Sequence, residues 1–129
     1  MKVNPVQEIS EAEFDAQVLH SKQPVVVGFL ADWSQACRRF EPVLNEVARA
    51  CNGNAKVFKM EVDDNPELGS LYVIQSVPTS VFFFNGTVRV KFVGTVTAKA
   101  ILAKLQSLLQ EGNSTRNQDS NQASPDPEI

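Results

Sequence analysis

The sequence predicts an α/β domain, with a mixed central β-sheet and helices on both faces. Three observations carry this. Helical and strand patterns alternate through the first half of the chain, an order that lays helices across parallel strands. An Asn85-Gly86 pair joins two later strand patterns as a tight hairpin, so the sheet also holds an antiparallel pair. A final helical stripe then covers the result.

The elements follow in order. Ser10 with Glu13 forms a capping box, and Ile9 with Phe14 is placed as its hydrophobic staple, predicting a first helix from about Glu11 to Leu19. His20 to Pro24 reads as a loop. The run Val25-Val26-Val27-Gly28-Phe29-Leu30 is apolar throughout, as in a central strand buried on both faces. Phe40, Val43, Leu44, Val47 and Cys51 then recur at helical spacing, predicting a helix from Ser34 or Gln35 to Ala50. Pro42 interrupts its hydrogen bonding and is expected to kink it. Asn52-Gly53-Asn54 supplies the stop, with Gly53 suited to a left-handed position.

Lys56 to Val62 reads as a second central strand, and Asp63-Asp64-Asn65-Pro66 opens a short helix to about Tyr72. Ser80 to Phe84 and Thr87 to Val93 are the hairpin strands, ended by Gly94. Thr97 caps a last helix whose stripe is Ile101, Leu102, Leu105, Leu108 and Leu109. After Gln110 large apolar residues nearly vanish, and Asn, Ser, Gln, Pro and acid take over. Such a segment does not bury enough surface to offset its ordering entropy. The expected organisation is therefore one domain over residues 1–110 and a disordered polar, acidic tail over 111–129.

Composition narrows the function classes. The 129 residues are 43% hydrophobic and 21% charged, ordinary for a globular domain. The net charge of −3 resides in the tail, where Glu111, Asp119, Asp126 and Glu128 face only Arg116. The body is formally neutral, which argues against nucleic acid as a partner. No apolar run approaches the roughly 20 residues of a membrane span, and the N-terminus lacks a secretory signal's apolar core. Two cysteines do not make a disulfide scaffold, so the cytoplasm or another reducing compartment is expected. One histidine, His20, lies far from either cysteine, so neither a metal nor any other cofactor is expected.

Trp33-Ser34-Gln35-Ala36-Cys37 lies between the first buried strand and the next helix, where backbone N–H groups point outward. Ser34 is placed to cap that helix by accepting from the Cys37 N–H. Cys51 lies 51 − 37 = 14 residues on along the same helix, about 21 Å at 1.5 Å per residue, too far to pair with Cys37. Its expected role is packing.

This segment resembles the thioredoxin active site, a Trp followed by a Cys-x-x-Cys pair, with Ser34 in place of the first cysteine. Other positions match in order: Ala31-Asp32-Trp33 as the lead-in, Pro42 as the helix proline, and Val77-Pro78-Thr79 as the cis-proline segment. Phe84-Asn85-Gly86 matches the hairpin, and Val93-Gly94-Thr95 the glycine loop. The resemblance implies a thioredoxin fold over about residues 5 to 110, and a groove for extended polypeptide formed by Trp33, Val77, Pro78, Thr79 and Gly94. Ser34-Gln35-Ala36-Cys37 is also similar to the Ser-x-x-Cys motif of chaperedoxins, whose thioredoxin domain is followed by helical repeats rather than a polar tail.

Three departures fall on one piece of chemistry. Ser34 replaces the nucleophile, Ala36 replaces the motif proline, and Gly28 replaces the buried aspartate that assists proton transfer. Lys59, the strand lysine beside that aspartate, is left without it. A serine hydroxyl does not ionise near neutral pH, so dithiol exchange is not expected. The expectation is a redox-deficient protein, monomer or weak dimer, that binds protein or peptide clients through the groove. The alternative is a weak oxidoreductase using Cys37 alone, in mixed-disulfide or glutathione chemistry. Helix N-termini lower thiol pKa and apolar burial raises it, so both readings of Cys37 stay open.

Overall fold

The computed structural model describes the backbone of residues 6–121 and the side-chain surroundings of residues 6–112. A two-residue strand β1 (Gln7–Glu8) precedes α1 (Glu11–Phe14), which widens into a π-helical turn (Asp15–Leu19). There follow β2 (Val25–Leu30), α2 (Gln35–Cys51), β3 (Lys56–Glu61), α3 (Pro66–Leu71), β4 (Thr79–Phe84), β5 (Thr87–Val93) and α4 (Ala98–Asn121). The sheet order is β1-β3-β2-β4-β5, with β1, β3 and β2 parallel and β4 and β5 antiparallel to their neighbours. This is the mixed sheet that the hairpin required.

The pleat divides the core in two. On β2, Val26 and Leu30 face α2 and α4, where they join Phe40, Leu44, Val47, Phe82, Ile101 and Leu105. Val25, Val27 and Phe29 face α1 and α3, against Phe14, Val18, Phe58, Met60 and Phe83. The two-faced burial of β2 and β4 is what the unbroken apolar runs predict. On the second face Phe14, Tyr72 and Phe83 form a mutual aromatic cluster with centroids 5.3–5.7 Å apart.

Local signals fix most boundaries. The Glu13 side chain accepts from the Ser10 N–H at 2.9 Å, opening α1 as a capping box, and Ile9 and Phe14 are both buried in the second core cluster. Asn85 and Gly86 both have positive φ, 55° and 79°, the requirement of the tight hairpin turn. Thr97 Oγ1 accepts from the Ala100 N–H at 3.1 Å and starts α4.

Several expectations need correction. The strand β1 is additional to the elements expected: two exposed residues leave no alternation to read. Gly53 has the expected positive φ (86°), but Asn52 before it is already left-handed (φ 52°) and is the residue that ends α2. Helix α4 does not end near Gln110 but runs to Asn121, so the disordered tail expected from residue 111 is corrected that far. Residues 122–129 lie outside the described residues. The helix continues because no proline intervenes before Pro125, and because Arg89 on β5 clamps Glu111 through two contacts of 2.7 and 2.8 Å. That guanidinium holds the Glu111 carboxyl below its ordinary value. Gly112 lets the helix lie close on Phe84, since a Cβ there would sit 3.1 Å from the ring.

One backbone position is strained. Val73, just after α3, has φ 56°, a left-handed conformation that a β-branched residue avoids. Lys91 on β5 donates to the Tyr72 and Val73 carbonyls across this turn. Strain of about 1–3 kcal/mol exceeds the roughly 0.5–1 kcal/mol entropic penalty of glycine. Val73→Gly is therefore expected to stabilise the fold by about 1 kcal/mol, raising Tm by roughly 4 °C in a thermal melt; an unchanged or lower Tm would remove the strain argument.

Candidate functional site

The site stands at the end of β2 where α2 begins. Ser34 (φ −90°, ψ 121°) is the N-cap of α2, and its Oγ accepts from the Cys37 N–H at 3.1 Å. Cys37 is 3% exposed, and its Sγ accepts from the Ala31 N–H at 3.4 Å. The thiol is thus folded back against the strand end it follows. Cys51 is buried at the other end of α2, in the first core cluster, and both cysteines are free thiols. Burial pushes the Cys51 thiol up, as suits an inert packing residue.

Trp33 is the opposite case. It is 68% exposed, and its Nε1–H donates to Asp63 Oδ2 at 2.9 Å. Sequence reasoning misses Asp63; nothing marks it until the β2 and β3 ends are brought side by side. The indole is steered by this bond yet leaves most of its face to solvent.

The other predicted groove residues come together from the far side of the sheet. The Val77–Pro78 peptide bond is cis, and Pro78 is buried while Val77 is half-buried. The Gly94 N–H donates to the Pro78 carbonyl at 2.8 Å, so the loops before β4 and after β5 are tied directly. Gly94 needs its φ of 89°, not its lack of a side chain: a Cβ added there would meet no atom within 4 Å. Thr79 pairs with Phe29 on one side and Val93 on the other, and its Oγ1 donates to the Ser76 carbonyl at 2.8 Å. Ser34 with Cys37 and Pro78 with Gly94 are brought together in this way. Among the described residues, no hydrogen bond joins Trp33 to Val77, Pro78 or Gly94.

A row of paired residues crosses the sheet beneath α2: Lys59 on β3, Gly28 on β2, Ser80 on β4 and Phe92 on β5. With no side chain at Gly28, Leu44 of α2 drops into the gap, and a Cβ at Gly28 would lie 2.7 Å from Leu44 Cδ1. Ser80 Oγ is fully buried and has no hydrogen-bond partner among the described residues. Lys59, without a carboxylate at position 28 as expected, takes a partner from the helix instead: Glu41 of α2 forms an ion pair with it. Arg38 turns back to donate to the Asp32 carbonyl at 2.6 Å.

Between α2 and the ends of β2 and β3 lies a cavity of about 60 Å³, lined among others by Cys37, Arg38, Glu41, Lys59 and Glu61. Burial pushes the Glu61 carboxyl up, against the Asp32 N–H bond that favours its charge. Among the described residues no group of three or more His, Cys, Asp or Glu is placed to hold a metal ion. No helix among them is long and apolar enough to cross a membrane.

A five-stranded mixed sheet flanked by helices, with a Trp-Ser-x-x-Cys turn at the start of a proline-containing helix opposite a cis-proline, defines a thioredoxin-fold protein. The family model described as Thioredoxin matches residues 5–107, and the chain belongs to the thioredoxin family. It is 33% identical over 107 residues to the chloroplastic M-type thioredoxin of Pisum sativum, covering 83% of this chain and 62% of that protein. Against the thioredoxin of Synechocystis sp. it is 36% identical over 102 residues, covering 79% and 95%. The solved structure of chloroplastic thioredoxin z superposes with a TM-score of 0.75 at 26% identity, covering 87% of this chain and 99% of that one. The chain spans less than two thirds of the Pisum sativum protein's length.

Proposed function

We propose that this chain is a redox-deficient thioredoxin-family protein that binds extended polypeptide at the Trp33, Val77-Pro78-Thr79 and Gly94 surface, as a chaperone or adaptor. One observation carries the reading: beside the helix start, the large apolar side chain is open and the sulfur is shut. Trp33 is 68% exposed where Cys37 is 3% exposed. The position that would hold an attacking thiol carries Ser34, whose oxygen is engaged as a cap. Binding of an extended chain through apolar contact and backbone bonds needs no thiol. Two free buried cysteines suit the cytoplasm or another reducing compartment.

Trp33 is the only tryptophan, so its emission reports on the site directly. Titrating the protein with a reduced, alkylated unfolded polypeptide is expected to shift that emission saturably. Cys37→Ser is expected to leave the affinity unchanged, and Trp33→Ala, followed by calorimetry, to weaken it about tenfold or more. Equal affinity in Trp33→Ala, or dithiol-type disulfide reduction by the unaltered protein, would overturn the reading.

A second reading is favoured by the cavity, which Cys37 lines. On this reading Cys37, 3% exposed, meets small disulfides where it borders that cavity and acts as a monothiol forming mixed disulfides.

A further inference from the structure

We infer that Glu41, paired with Lys59, is the proton acceptor and donor for Cys37, in place of the carboxylate that β2 lacks at Gly28. The inference rests on the monothiol reading of Cys37 and adds to it the group that handles the proton. Glu41 follows Cys37 by 41 − 37 = 4 residues in α2, so both project from one face of the helix. Lys59 is the register partner of Gly28 and stands on the sheet face beneath that helix. With only a hydrogen at Gly28, and with Leu44 filling the space above it, no carboxylate reaches Lys59 from β2. Glu41 reaches it from α2 instead, and the pair is only partly exposed, 21% for the lysine and 33% for the glutamate.

Cys37, Glu41 and Lys59 line one cavity of about 60 Å³, room for the water that a relay needs. The other charged groups facing it are Glu8 from β1, Asp32 from the β2–α2 turn, Arg38 from α2 and Glu61 from β3. Arg38 is engaged by the Asp32 carbonyl and Glu61 by the Asp32 N–H. Glu41 is the carboxylate on the same helix face as the thiol and is held there by a lysine. The ion pair with Lys59 fixes that carboxylate at the edge of the cavity that Cys37 also lines.

The step balances as a thiol–disulfide exchange with a small disulfide. Cys37–SH passes its proton through cavity water to the Glu41 carboxylate, and the thiolate attacks one sulfur of R–S–S–R. A Cys37–S–S–R bond forms and the original S–S bond breaks. Cys37 sulfur is oxidised, the departing sulfur is reduced, and the leaving thiolate receives the proton from Glu41. The contribution of such a positioned acid–base group is of order 10²-fold.

The test uses the full chain carrying Cys51→Ser, with 2-hydroxyethyl disulfide as the probe and mixed-disulfide formation followed by mass spectrometry from about pH 5 to 9. Glu41→Gln keeps the shape of the side chain and an oxygen for Lys59. It is expected to slow the reaction at least about tenfold near pH 6 and to converge on the unaltered protein near pH 9, where hydroxide takes over as the base. Glu41→Asp is expected to recover part of the rate. A purely structural role for Glu41 would instead loosen the site and speed labelling at every pH, which would overturn the inference. So would a pH–rate profile unchanged by Glu41→Gln, which leaves Cys37 reactive but not served by Glu41. If Cys37 reacts only after unfolding, the monothiol reading and the inference fall together.

Discussion

Ser34→Cys is expected to raise disulfide reduction at least about a hundredfold over the unaltered protein, read as insulin reduction driven by dithiothreitol. The geometry is ready for it. Residue 34 caps α2 and already accepts from the Cys37 N–H at 3.1 Å, so a thiolate there gains a backbone donor and the positive end of a 17-residue helix. Residues three apart at a helix start have Cβ atoms about 5–6 Å apart, within what a disulfide bridges after a small rotation. Cys37 would then resolve the mixed disulfide from its position against Ala31. Activity is expected to stay below that of an ordinary dithiol protein, because Gly28 supplies no carboxylate. If Ser34→Cys folds, closes a disulfide between the new thiol and Cys37 on oxidation and still reduces nothing, then the loss of the nucleophile is not what silences the site.

Gly28→Asp is expected to destabilise the fold by about 3–5 kcal/mol, measured by denaturant unfolding. The new Cβ lies 2.7 Å from Leu44 Cδ1, in a place where Leu44 is fully buried and has little room to turn. Overpacking alone costs about 1–3 kcal/mol. The carboxylate then enters an apolar cluster where its one lysine neighbour, Lys59, is already paired with Glu41. The orphaned Ser80 hydroxyl across the strand offers a donor, but a hydrogen bond to a charged group contributes about 1.5–3 kcal/mol. That recovers only part of the deficit.

The pH dependence has a definite sign. Burial raises the folded-state pKa of the aspartate above its unfolded value near 3.9. Between those values the native state holds more protons than the unfolded state, so stability falls as pH rises through the window. The deficit is therefore expected to be smaller near pH 5 than near pH 7.5. Leu44→Ala in the Gly28→Asp background should cost at least about 1 kcal/mol less than it does alone, because the clash is gone. Strictly additive costs would show that Leu44 does not hold the Gly28 space.

What the sequence disclosed follows the range of its signals. Local chemistry read correctly: the Ser34 cap, the Asn85-Gly86 turn, the Thr97 cap and the unbroken apolar runs of β2 and β4 each depend on neighbours within a few residues. The misses depend on partners far away. Lys59 looks deserted in the sequence because its new partner lies 18 residues earlier, on a helix rather than a strand. The Trp33–Asp63 bond spans 30 residues, and nothing near either residue announces it. β1 exists only because β3 offers an edge, and α4 lengthens because Arg89 reaches it from β5. Val73 escapes notice because its side chain argues for an extended backbone while the turn after α3 demands a left-handed one.

The hairpin's outer strand has a consequence for behaviour at high concentration. β5 is an open edge of the sheet, with exposed Val88 and Val93. Residues 1–110 have no net charge to keep copies of the domain apart, the condition under which globular proteins tend to aggregate. The edge carries its own protection. Arg89 and Lys91 sit on it, engaged by Glu111 and by the Tyr72 and Val73 carbonyls, and the ladder slips register between Phe82 and Phe83, so the strand is neither flat nor uncharged along its length. A second copy approaching to extend the sheet would have to bury two cations and match a kinked ladder. Charge-neutralising substitutions on β5 would therefore open this edge to pairing between copies.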